Sequence, residues 1–151
     1  MSGAERAIAV ARQAGAGAPD HVRLDYEARF IRRKRLVSAG GVSVLVDLPE
    51  TVSLDHGDAL VLESGAHLGV IAAEEPLLAV TGGNLARLAW HVGNRHTPCR
   101  IEEERLLIRD DPVLARMLEG LGARVAPVRG PFAPEGGAYG RGRTLGHSHE
   151  H

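Results

Sequence analysis

Through the first half of the chain, apolar residues cluster in short runs. Val42-Ser-Val-Leu-Val46 and Ala59-Leu-Val-Leu62 read as strands, and Leu68-Gly-Val-Ile71 as a third. Asp47 to Asp58 carries Pro49, Asp55 and Gly57, all turn formers, and Glu63-Ser64-Gly65 reads as a second turn. Arg23 to Phe30 mixes polar and apolar positions and is read as an opening strand. Short strands at this spacing predict a small sheet or barrel.

After Glu74-Glu75-Pro76 the pattern changes. Leu77-Leu-Ala-Val80 predicts a strand. Asn84 caps a predicted helix whose apolar positions are Leu85, Leu88, Ala89 and Val92, with Gly93 ending it. Cys99-Arg-Ile101 and Leu106-Leu-Ile108 predict two strands around Glu102-Glu103-Glu104. Asp111 before Pro112 starts a second helix with the stripe Val113, Leu114, Met117, Leu118 and Leu121, closed by Gly122. Ala123 to Val128 is a last strand, placed at an edge by Pro127. The order βαββαβ is ferredoxin-like, a fold that hosts many functions. The expected class is α+β: a small β-sheet or barrel domain over residues 1–75, a ferredoxin-like domain over 76–143, and a tail over 144–151. Gly130 to Gly146 has few apolar residues and reads as flexible.

Composition narrows the function classes. Aromatics are only 3% of the 151 residues, so the cores must be aliphatic. The 18 Lys and Arg against 19 Asp and Glu leave a net charge of −1, which supplies no global attraction to nucleic acid or membrane. One local exception is the basic run Arg29-Phe-Ile-Arg32-Arg33-Lys34-Arg35, either a contact for an anionic partner or a solvated strand edge. With one cysteine, Cys99, no intramolecular disulfide can form and a reducing compartment is expected. No run of about 20 apolar residues predicts a membrane span. Met1 to Pro19 lacks the pattern of a secretory signal, so a cytoplasmic location is expected.

The chemistry concentrates in histidine. His91 and His96 lie five residues apart around Gly93-Asn94-Arg95-His96, and the chain ends His147-Ser-His149-Glu-His151. Imidazole suits borderline divalent ions such as nickel, copper and zinc. One imidazole is too few for a site, but two copies of His96 across a two-fold axis, helped by tail histidines, would suffice. The alternating tail histidines would share one side of an extended segment. His91 is equally readable as a helix-surface residue. His21, His56 and His67 are isolated and read as structural or solvent-facing. Cys99 is read as buried at a strand start, and Glu102, Glu103 and Glu104 as a solvated turn. The chain has no G-x-x-x-x-G-K-[ST] loop, G-x-S-x-G or H-E-x-x-H, so it carries no GTPase or hydrolase signature.

Gly93-Asn94-Arg95-His96 resembles the motif of the urease accessory nickel metallochaperones (UreE-type). Gly57-Asp58-Ala-Leu-Val-Leu62 is similar to a turn and strand of their N-terminal domain. Asp111 to Ala123 resembles their second helix, and Gly130-Pro131-Phe132-Ala-Pro134-Glu135-Gly136-Gly137-Ala138-Tyr139 the segment before their variable tail. The likeness runs from about Arg23 to the end. It implies a non-enzymatic homodimer in which His96 binds Ni(II) with its symmetry mate, while tail histidines add ligands. It also implies delivery of nickel to the urease apoprotein complex with an accessory GTPase. Some relatives carry H-x-H at the start of the second helix. Asp110 and Pro112 stand there in this chain, so that extra site is expected to be absent. Three tail histidines favour delivery over storage. Zn(II) or Cu(II) would compete, since copper outranks nickel at nitrogen ligands. Because imidazole must be neutral to bind, affinity is expected to fall below about pH 6.5. The rival reading is a non-catalytic protein- or nucleic-acid-binding module using residues 29–35, with no need for His96; near-neutral charge disfavours the nucleic acid.

Overall fold

The computed structural model describes residues 5–136. Two compact units divide between Ala73 and Glu74.

Seven residues, Glu5–Ala11, form β1 of the first unit. It continues with β2 (Asp20–Leu24), β3 (Phe30–Val37), β4 (Ser43–Ser53), β5 (Ala59–Leu62) and β6 (His67–Ala72). These make one sheet in the order β2-β6-β5-β1-β4-β3. The β1–β4 and β2–β6 pairs are parallel, and the others antiparallel. Residues from every strand, among them Ala7, Val22, Ile31, Leu36, Val46, Leu60 and Val70, enter a single core, so the sheet curls around its own inner face. Near one end the sheet edges approach, where the Ala39 N–H donates to the His21 carbonyl at 2.8 Å.

The expected strand at Arg23–Phe30 is not formed. Those residues leave β2 and pass through a turn in which the Ala28 N–H donates to Asp25. The opening strand is β1, whose inward residue is the small Ala7, fully buried, while Ile8 is exposed. A register shift between Ala7 and Ala9 breaks its alternation, which hides the strand from a period-two pattern. Likewise β4 runs on to Ser53 through residues expected to turn.

Asp58 is the polar anchor of this unit. Its fully buried carboxylate accepts from Arg12 Nη1 (2.7 Å), the Asp55 N–H (2.8 Å), and both the backbone and the side-chain amide of Gln13 (3.0 Å each). Burial alone would push its pKa up, but these donors outweigh it and hold the carboxyl below the ordinary range.

The second unit is β7 (Glu74–Thr81), α1 (Leu85–Asn94), β8 (Arg100–Ile101), β9 (Leu106–Arg109), α2 (Pro112–Gly120) and β10 (Arg124–Pro131). Its sheet order, β10-β7-β9-β8, is antiparallel throughout. This is the ferredoxin-like arrangement the pattern predicts. Leu88 and Val92 of α1 pack with Leu114 and Leu118 of α2 over Leu78, Val80, Leu106 and Ile108 of the sheet. Asp111 caps α2 by accepting from the Val113 and Leu114 N–H groups, with Pro112 at the first helical position. Pro127 sits in the edge strand β10, as expected of a proline within a sheet.

No helix among the described residues is long and apolar enough to cross a membrane.

Candidate metal centre

The site begins with a helix end. Asn84 starts α1, its side chain accepting from the Arg87 N–H at 3.1 Å. The buried Leu88 and Val92 fix the helix against the sheet. Gly93, expected to end the helix, lies inside it; α1 runs to Asn94, with Arg95 as its C-cap. The next residue, His96, has φ +57, and only one other non-glycine residue, Gln13, shares that sign among the described residues. The His96 N–H donates to the Gly93 carbonyl at 2.9 Å, and the Thr97 N–H reaches the Val92 carbonyl at 3.4 Å. These two bonds define a Schellman cap whose left-handed position normally holds glycine. A side chain there costs about 1 kcal/mol or more of backbone strain. The cap turns the chain sharply and presents the imidazole of His96, an exposed residue, to solvent.

His91 is half-buried in the last turn of α1, its ring edge-on to Trp90 with centroids 5.0 Å apart. Trp90 is 64% exposed. Sequence reasoning passed over it, although the signal was present: Trp90 lies off the stripe of Leu85, Leu88, Ala89 and Val92. No three His, Cys, Asp or Glu side chains converge into a metal-holding group among the described residues. A single copy of this chain therefore places His96 at the surface outside any such three-residue group among residues 5–136. His147, His149 and His151 lie outside the described residues. His56 is structural: its Nδ1 accepts from the Ala72 N–H at 3.1 Å.

Cys99 is half-buried at the approach to β8. Burial, and then the charge of Glu135, push its thiol up to about 11. It is thus a protonated thiol near neutral pH in the metal-free protein. Glu102 accepts from Arg105 Nε (2.6 Å) and Arg100 Nε (3.0 Å), and these two bonds hold its pKa low. It ties the β8–β9 turn and does not face the candidate site as a free carboxylate.

The segment after β10 differs from expectation. Gly130 and Pro131 are in the strand, and Phe132 is fully buried. The Glu135 N–H donates to the Cys99 carbonyl at 2.8 Å, the Ile101 N–H reaches Glu135 Oε2 at 3.4 Å, and Arg100 Nη1 donates to the Ala133 carbonyl at 3.0 Å. Residues 130–136 are therefore pinned beside the strand that follows His96. One buried aromatic, one guanidinium, one carboxylate and a backbone bond do this, too few to leave a periodic signal.

Two family models match the chain: the N-terminal domain of the UreE urease accessory protein over residues 3–73, and its C-terminal domain over residues 75–151. A urease accessory protein UreE of Rhodobacter capsulatus is 64% identical over 133 residues, covering 88% of this chain and 85% of the relative. One from Ruegeria pomeroyi is 58% identical over 132 residues, covering 87% and 89%. A third, from Cereibacter sphaeroides, is 60% identical over 128 residues, covering 85% and 70%.

Proposed function

The chain belongs to the UreE family of urease accessory proteins, and from that premise we propose that it carries Ni(II) as a homodimer and hands it over for assembly of the urease metallocentre. The observation that carries this reading is His96: a strained, exposed imidazole on a Schellman cap, inside the motif Gly93-Asn94-Arg95-His96. Nickel is cargo here, and the protein acts as an accessory chaperone rather than an enzyme.

One imidazole per chain is too few, so two copies of His96 meet across a two-fold axis. Of the four large exposed apolar residues among the described residues of this unit (Trp90, Ile101, Val113 and Leu121), Trp90 and Ile101 are the nearest to His96 in sequence and supply apolar surface for such contact. Histidines 147, 149 and 151 add ligands, and His91 is a secondary one. Cys99 is left out of the set, being half-buried at the approach to β8. A nitrogen site with few protein ligands exchanges its metal readily, as delivery requires. Such a site does not reject Zn(II) or Cu(II) by affinity, so docking to the urease apoprotein complex and its accessory GTPase supplies the selectivity. The N-terminal unit serves as the partner-binding domain, and the work is done in the cytoplasm.

Calorimetric titration of metal-free protein with Ni(II), with mass measured in solution, tests the reading. The expected result is about one tightly bound Ni(II) per dimer, lost in His96→Ala, weakened on acidification, and reduced when the chain is ended at Gly146. Unchanged binding in His96→Ala would sink the interfacial site and leave the tail as a simple chelator.

A further inference from the structure

The nickel reading leaves the basic run unused, and the fold splits that run in two. Arg29 is buried: Nε donates to the Leu54 carbonyl at 3.1 Å and Nη1 to the Leu24 carbonyl at 3.0 Å, with the guanidinium over the Tyr26 ring. It belongs to the core wall. Arg32, Arg33, Lys34 and Arg35 are exposed and consecutive on β3. That strand ends the sheet and has a ladder with β4 alone, so its outer backbone edge has no strand beside it among the described residues.

We propose that the outer edge of β3 is a docking site for an extended acidic polypeptide segment, which adds to the sheet as a further strand. The register places the charges for this. Lys34 is opposite Val46 and Leu36 opposite Val44, whereas Arg33 and Arg35 are opposite Asp47 and Leu45. Opposed residues share a face, so cations flank the edge on both faces of the sheet. A guest strand would be met by cations above and below, and its complement is a run of consecutive Asp or Glu. Phe30 (42% exposed) and Val37 (69% exposed) bracket the cations with apolar surface at either end.

Edge protection alone explains a cation on an edge strand. It does not explain four in a row within a chain of net charge −1. Local neutralisation is incomplete. Asp47 accepts from Arg6 Nη2 at 2.7 Å and pairs with Arg33 at 3.1 Å. Arg35 reaches only the Ser43 hydroxyl, at 3.5 Å, and Lys34 has no carboxylate partner among the described residues. The same charges that forbid pairing of two β3 edges favour an acidic guest, which is specificity by repulsion of the wrong partner. Polypeptide is favoured over nucleic acid because the run follows a strand edge, with one aromatic beside it rather than a stacking platform.

The test uses the full chain and a fluorescent peptide as long as β3, with consecutive glutamates flanked by valines, followed by polarisation. Two controls carry the same charge: the peptide N-methylated at alternate residues, which removes one hydrogen-bonding edge, and single-stranded oligothymidylate. Saturable binding is expected to the acidic peptide. It should weaken at least about tenfold in the double variant Lys34→Glu/Arg35→Glu, as for charge pairs at an interface, and about as much with the N-methylated peptide. Nickel binding should be unaltered in that variant, which separates this site from His96, and a urea-unfolding transition of the first unit matching the parent's shows that the variant folds. No binding, equal binding of the N-methylated peptide, or tighter binding of oligothymidylate would each overturn the proposal.

Discussion

On the proposed nickel reading, His96 serves function against stability. Its left-handed cap position favours glycine, and φ +57 is the cost of presenting an imidazole there. His96→Gly is therefore expected to raise the stability of the C-terminal unit by about 1 kcal/mol while abolishing nickel binding. Chemical denaturation and calorimetry on the same preparation check both signs. Cys99, three residues on, is expected to be inert. With its thiol pushed up to about 11, Cys99→Ala should leave nickel affinity unchanged, and Ellman's reagent should react slowly with the native protein near neutral pH. The motif itself was legible in sequence; the strain at its last residue was not, because φ is set by how α1 ends.

At the scale of elements, local signals worked where they were strong. The Asn84 and Asp111 caps, Pro112 and the two apolar stripes located both helices. The loop that carries His96 depends on the first of them. Asn84→Ala should destabilise the second unit by about 1 kcal/mol, read by thermal melting, and the frayed helix should weaken nickel binding less than His96→Ala does. Local signals failed where irregularity intervened. The register shift in β1 breaks its alternation, and the stretch through Ser53 reads as turn chemistry although β4 continues there. Gly93 is the helix stop that local chemistry predicts, yet the buried Val92 holds the last turn in place and α1 runs one residue beyond it.

Across the whole molecule, each unit depends on contacts distant in sequence. Asp58 ties residues 12, 13 and 55 together with its carboxylate buried. Its folded pKa is lowered, so the charged form stabilises the fold above the unfolded value of about 3.9, and that contribution is lost as pH falls through the folded value. Asp58→Asn is expected to cost about 2 kcal/mol or more near neutral pH, with a smaller further loss on acidification than the parent shows. Urea unfolding across the acid range, fitted for each protein, checks it. Assembly is tested at Trp90. If two copies meet beside His96, Trp90→Glu should shift the protein to monomers by light scattering and weaken nickel binding together with dimerisation.

The sequence by itself determined the two-part α+β plan, both helices with their caps, the edge position of Pro127 and the histidine motif. These rest on short-range chemistry: which side chain can cap, which ring forbids an N–H donor, which spacing makes a face. Tertiary structure decided the rest. It took Arg29 out of the basic run and into the core wall, put Arg32 to Arg35 on a sheet edge, pinned residues 130–136 beside the strand after His96, and set His96 in a left-handed cap. Each of these depends on a partner far along the chain, or on where a helix is stopped by the packing beneath it. No local pattern encodes either.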